Sequence, residues 1–136
     1  GGRGKEHGYP RAGRLPVDLS LGERSSIVLP VGDDVAARAG NGEVRRLILS
    51  IYVDRMTYSD EIEFKLNGRV LDTEVIYATD GVSPVVCSNF LLRTQPDPGS
   101  VRKGDNQFTA FLKKRCESAP GVPAISGLAL VVKYKR

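Results

Sequence analysis

Hydrophobic and polar residues alternate in short runs along much of the chain. The clearest run covers residues 44–53, where Leu47, Leu49, Ile51 and Val53 alternate with the residues between them. A period of two is the pattern of a β-strand with one buried face. Further strand-like runs occupy residues 26–31, 61–67, 70–77, 85–93, 107–114 and 127–135. The sequence therefore predicts an all-β chain with seven or eight strands.

Turn-forming residues separate these runs and indicate how the strands connect. Asn67-Gly68 predicts a tight hairpin, because both residues tolerate a positive φ. Pro30 has no N–H to donate, so the first run is predicted to be an edge strand. A short helical turn is predicted within residues 36–42. The pattern favours an antiparallel two-sheet β-sandwich of the jelly-roll type. An immunoglobulin-type sandwich is the structural alternative, although the chain has no tryptophan to pack on a buried disulfide.

The beginning of the chain differs in composition from the rest. Residues 1–14 read GGRGKEHGYPRAGR, which is glycine-rich, basic and polar. We expect them to form a flexible leader or linker, as in a piece of a longer protein. Residues 15–136 are predicted to form a single sandwich domain, since their number suits one hydrophobic core.

Charge and hydropathy exclude some classes of function. The net charge is +4, but the lysines and arginines are scattered among acidic residues. A nucleic-acid interface more often shows a concentrated basic stripe with stacking aromatics, so that partner is disfavoured. The basic clusters 113–115 and 133–136 keep it open as an alternative. No apolar run reaches the ~20 residues of a membrane span.

The titratable residues do not form a recognisable catalytic set. His7 is the only histidine and lies in the predicted leader, which excludes a histidine-dependent triad within the domain. Glu61 and Glu63 would lie about 6.8 Å apart on one strand face, a spacing that a glycosidase could use. Lys65 continues the same row, however, as on a solvated strand face. Cys87 and Cys116 lack metal-binding spacing, and their sequence allows either a disulfide or two free thiols.

Large apolar and hydrogen-bonding side chains are predicted on the outward sides of three strands. A sugar site needs that mixture, because flat rings stack on the C–H face of a sugar and forked donors or acceptors bind its hydroxyls. A protein–protein interface would use the same mixture. We therefore predict one contact surface that contains Arg46, Ile48, Tyr52, Asn89, Arg93, Gln107 and Phe111.

Three segments together resemble a known family. They are DEIEFKLNG at residues 60–68, KGDNQF at 103–108 and ISGLALVVKY at 125–134. Their order and spacing resemble galactose-binding-like jelly-roll modules, which occur as accessory domains C-terminal to glycoside hydrolase catalytic domains. Asn67-Gly68 and Gly104-Asp105-Asn106 also have a structural explanation, since they suit a hairpin and a strand entry.

The resemblance implies a non-catalytic, carbohydrate-associated accessory domain. Such a domain would bind a glycan weakly or dock on a neighbouring catalytic domain, and a secreted or cell-surface location would follow. No organic cofactor is expected. A structural calcium, present in some of these modules, could be held by Asp33, Asp34, Asp60 and Asp80. The alternative from another class is a structural or assembly jelly roll, capsid-like or adhesin-like, with no sugar ligand.

Overall fold

The chain folds into two antiparallel β-sheets packed face to face. The computed structural model describes residues 6–9, 15–79 and 87–135. The described strands are β1 (Glu6–Tyr9), β2 (Val17–Asp18), β3 (Arg24–Val31), β4 (Val44–Met56), β5 (Glu61–Leu66), β6 (Arg69–Val70), β7 (Glu74–Ala78), β8 (Ser88–Thr94), β9 (Gly104–Lys114) and β10 (Ala124–Tyr134). The prediction of an all-β, two-sheet antiparallel sandwich is confirmed.

The order of the strands determines which residues share a surface. Sheet A has the order β1-β10-β4-β8-β7, with β2 paired to the start of β10. Sheet B has the order β3-β9-β5-β6. Strands β4 and β8 therefore belong to one sheet and β9 to the other.

The core lies between the two sheets and follows the predicted alternation. Leu49 and Ile51 on β4 are fully buried, as are Phe108 and Leu112 on β9. The rings of Phe64 and Phe108 stack within sheet B, with centroids 5.7 Å apart. Truncating a buried leucine or isoleucine such as Leu49 or Ile51 to alanine typically lowers the free energy of unfolding by about 2 to 5 kcal/mol. This interior fixes which side of each strand faces outward.

Several local predictions are confirmed. Asn67 and Gly68 have φ values of 50° and 83° and join β5 to β6 in a tight hairpin. Pro30 lies on β3, an edge strand of sheet B. The short helix α1 spans Val35–Gly40, and the Asp34 side chain caps it by accepting a hydrogen bond from Ala37 N. In the described residues no helix is long and apolar enough to cross a membrane.

One prediction about a segment is wrong. Residues 70–77 do not form one returning strand, because β6 ends at Val70 and β7, from Glu74, pairs with β8 in sheet A. Leu71 packs against the core at this crossover, so the apolar pattern continues while the chain changes sheets. The predicted flexible leader contains β1, whose backbone pairs with β10. Backbone pairing between strands does not require apolar and polar side chains to alternate, so the hydrophobic pattern did not indicate β1. The flexible character of residues 1–14 and the domain division stay predictions.

A candidate contact face on sheet A

Three neighbouring strands of sheet A place an aromatic row on the outer surface. Leu91 on β8 is paired with Tyr52 on β4 and with Tyr77 on β7. Directly opposed residues project from the same side of a sheet. Leu92, the next residue along β8, is in the core, so the row faces outward. Tyr52 is 39% exposed, Tyr77 51% and Leu91 only 7%, so two accessible rings flank a covered leucine.

The adjacent row on the same surface is polar. Arg93 on β8 is paired with Ser50 on β4 and with Glu74 on β7. Both Arg93 and Glu74 are exposed. Residues i and i+2 of an antiparallel strand are about 6.8 Å apart, so this row runs beside the aromatic row. We call the surface formed by Arg46, Ile48, Tyr52, Asp72, Glu74, Tyr77, Asn89, Leu91 and Arg93 the A face.

A groove of about 500 Å³ crosses one end of the A face. Its lining consists of Arg46, Ile48, Asp72, Thr73, Glu74, Arg93, Thr94 and Gln95. Two guanidinium groups and two carboxylates thus line the same depression. None of these four charged side chains forms an ion pair or a side-chain hydrogen bond with another described residue. Within the described part of the chain, their donors and acceptors are therefore left for a ligand.

The position of the Tyr52 ring depends on a glycine on the neighbouring strand. Gly127 is paired with Tyr52, just after an irregularity in the register of β10. A Cβ atom at Gly127 would lie 2.9 Å from Tyr52 Cδ2, closer than a Cβ atom can approach, and 3.4 Å from its Cγ. The missing side chain therefore lets the ring rest against the β10 backbone. A glycine inside a strand often marks such a close approach.

The predicted contact residues divide between the two sheets. Arg46, Ile48, Tyr52, Asn89 and Arg93 lie on the A face, as their strands are neighbours. Gln107 and Phe111 lie on the outer side of sheet B, because β9 belongs to that sheet. The expectation of one continuous surface containing all seven residues is wrong. Alternation along a strand reports which side a residue faces but not which sheet contains the strand.

Tyr77, Asp72 and Glu74 are residues of this face that the sequence did not single out. They lie at or beside β7, which was merged with β6 into one strand. The available signal was the run of three consecutive apolar residues Val75, Ile76 and Tyr77, which does not alternate as a strand with one buried face does. In the structure all three are exposed.

The carboxylates on the outer side of sheet B are neutralised by lysines. Glu63 lies 3.2 Å from Lys113 Nζ and 3.8 Å from Lys65 Nζ. Glu61 lies 3.7 Å from Lys114 Nζ. This arrangement agrees with the interpretation of the row as a charged strand face.

The described aspartates that could hold calcium do not converge. Asp33 accepts a hydrogen bond of 2.6 Å from the Tyr134 hydroxyl, and Asp34 caps α1. Asp60 accepts hydrogen bonds from Thr57 N and Cys116 N. It lies just beyond the Lys114 end of β9, whereas Asp33 lies near the Gly104 end. The ten residue steps of β9 correspond to roughly 33 Å. Asp80 lies outside the described residues, within which no group of three potential ligands occurs. Calcium binding stays a prediction.

Comparisons with known proteins identify the fold through structure alone. Neither the protein-family models nor the curated protein sequences give a significant match. Among solved structures, a beta-porphyranase of glycoside hydrolase family 86 from the human gut bacterium Bacteroides plebeius matches 96% of this chain, with a TM-score of 0.66 and 16% identity. BuGH86 in complex with neoagarooctaose also matches 96%, with a TM-score of 0.63 and 12% identity. This fold occurs within glycoside hydrolase family 86 chains.

The matched region is a small part of those enzymes. The chain spans 21% of the length of the porphyranase and 19% of BuGH86. At these identities the likeness shows a shared fold and not a shared activity. It agrees with the part of the resemblance that concerns glycoside hydrolase chains.

Proposed function

We propose that this chain is a non-catalytic accessory domain of a glycoside hydrolase and that it binds a glycan weakly through the A face. The observation that carries the proposal is the row Tyr52–Leu91–Tyr77 beside the four charged groups of the groove, which have no ion-pair partner among the described residues. The chain shares its fold with a region that spans 21% of a glycoside hydrolase family 86 chain, which supports the enzyme context.

The aromatic row has the chemistry to hold a pyranose ring. Tyrosine faces carry partial negative charge and can stack on the polarised C–H groups of a sugar, while the hydroxyl groups stay hydrated. The backbones of Tyr52 and Tyr77 are two strand spacings apart, about 10 Å, with Leu91 between them. Such a platform is open to solvent on one side and buries little of its ligand, which accounts for weak binding.

A second candidate function, docking on a neighbouring catalytic domain, is favoured by β7. This strand lies at the edge of sheet A and exposes Val75 and Ile76 as well as Tyr77. An edge strand offers unpaired backbone groups, and adjacent apolar side chains add contact area. Docking and glycan binding would then use neighbouring surfaces that share Tyr77.

Calorimetric titration with a panel of defined octasaccharides separates the two candidates. The Tyr52→Ala and Tyr77→Ala variants should each lose at least tenfold in glycan affinity while remaining folded. Val28→Ala is the matched control, since Val28 is 50% exposed on the outer side of sheet B. If no glycan binds, and Ile76→Lys instead abolishes association with the separately produced catalytic domain, docking replaces glycan binding as the function. Turnover of a polysaccharide by the folded chain would refute the non-catalytic assignment.

A further inference from the structure

The charges in the A-face groove balance one another in number. Arg46 and Arg93 contribute two positive charges, and Asp72 and Glu74 contribute two negative charges. Glu74 and Arg93 are directly opposed on β7 and β8, so their Cβ atoms are about 5 Å apart. A ligand group that approaches one of them also approaches the other.

We infer that the glycan recognised by the A face is uncharged, an inference that rests on the proposed glycan-binding function. A guanidinium group can only donate hydrogen bonds, and an ionised carboxylate can only accept them. A sugar hydroxyl does both, so adjacent hydroxyls can accept from Arg93 and donate to Glu74. A neutral polyhydroxylated chain can therefore use all four charged side chains of the groove.

An anionic glycan can use only half of this groove. A sulfate or uronate group accepts hydrogen bonds and would satisfy Arg46 or Arg93. The same group would meet the carboxylate of Asp72 or Glu74 at close range, and juxtaposed like charges oppose binding. A site built for anions would instead present arginines without unpaired carboxylates beside them.

The two rows of the A face also define how the chain of sugars would lie. Leu91 and Arg93 are two residues apart on β8, so the aromatic row and the polar row are about 6.8 Å apart. A sugar stacked against Tyr52 or Tyr77 would place its neighbour over Arg93 and Glu74. The glycan would then run along the strands from the aromatic row into the groove.

The inference is tested by titrating the chain with octasaccharides matched in length. The neutral probes are neoagarooctaose, xylooctaose and mannooctaose, and the anionic probes are a sulfated galactan octasaccharide and octagalacturonate. We expect a neutral probe to bind at least tenfold more tightly than either anionic one, with less than a twofold change in Kd between 50 and 300 mM NaCl. Tighter binding of an anionic probe with strong salt dependence would overturn this inference and leave the proposed function intact. Absence of binding by every probe would overturn both.

Two variants test the role of the paired charges. Glu74→Gln should weaken the neutral probe several-fold and strengthen the sulfated probe, since it removes the repelling carboxylate. Arg93→Gln should weaken both probes. Lys103→Gln is the control, because Lys103 is exposed beyond the groove lining. A circular dichroism melt checks that each variant is folded. Equal loss of both probes in Glu74→Gln would contradict the inference.

Discussion

The side-chain amide of Asn67 donates a hydrogen bond of 2.8 Å from Nδ2 to Oδ1 of Asn106, which connects the β5–β6 turn to the beginning of β9. Asn67 also donates to Ser100 O and accepts from Gln107 N. Asn106 donates from Nδ2 to Leu29 O on β3. Two of the three segments that carry the family resemblance thus meet in one hydrogen-bond network, which explains Asn67 and Asn106 without a ligand.

Removing the Asn106 side chain should destabilise the fold strongly. Asn106→Ala would remove the partner of the partly buried Arg102 N–H and of the buried Leu29 carbonyl. Each such group costs about 1 to 3 kcal/mol, so we expect a loss of about 3 kcal/mol in the free energy of unfolding. Urea denaturation measures it. Asp105→Ala is the control, since Asp105 is exposed, and it should change stability by less than about 0.5 kcal/mol. Similar midpoints for both variants would contradict this account.

The buried ion pair between Asp60 and Arg115 should contribute more to the free energy of unfolding than the surface pairs do. The side chain of Asp60 is fully buried, and Arg115 also donates to backbone carbonyls of Arg55 and Pro120. Asp60→Ala would leave the guanidinium buried without a counter-ion, at a cost of about 3 to 5 kcal/mol. Glu61→Ala, which removes an exposed pair, should cost less than about 1 kcal/mol. Thermal melts of the two variants that coincide would disprove the distinction.

The Tyr52 ring, and not the backbone conformation, should be what prevents a larger residue at position 127. Gly127→Ala should cost about 1 to 2 kcal/mol in unfolding free energy, because the new methyl group displaces the ring. In a Tyr52→Ala background the same change should be neutral or slightly stabilising, since alanine is more favourable than glycine within a strand. A double-mutant cycle by denaturation measures the coupling. Additive effects of the two substitutions would show that the contact is absent.

Stability at high pH should depend on Tyr134. Burial, with the hydrogen bond to Asp33, raises the pKa of its hydroxyl to about 12, and the nearby Arg38 partly offsets this. The ordinary pKa of tyrosine is 10, so the neutral form stabilises the fold fully below about pH 10. This contribution should be lost as the pH rises from 10 through 12. Denaturation between pH 9 and 12 should therefore show a steeper decline in stability for the wild type than for Tyr134→Phe. Parallel pH profiles would contradict the assignment.

The sequence predicts the elements of this fold better than it predicts the candidate surface. Alternation identifies the β4 and β9 faces correctly, because burial on one side leaves a period of two in the residues themselves. The assignment of strands to sheets leaves no such local trace, so Phe111 was grouped with Tyr52 although their strands lie in different sheets. Tyr77 was missed for the same reason. β7 pairs with β8 in sheet A, and the apolar pattern continues through Leu71 without marking the change of sheet.

The most direct test of the central claim is a nuclear magnetic resonance titration of the ¹⁵N-labelled chain with a neutral octasaccharide that binds it. We expect the largest amide shift changes at Tyr52, Tyr77, Leu91 and Arg93, and no change in the amide shifts of Gln107 and Phe111 on sheet B. Shift changes concentrated on sheet B, or at the β7 edge without Tyr52 and Arg93, would contradict the assignment of the A face as the glycan-binding surface.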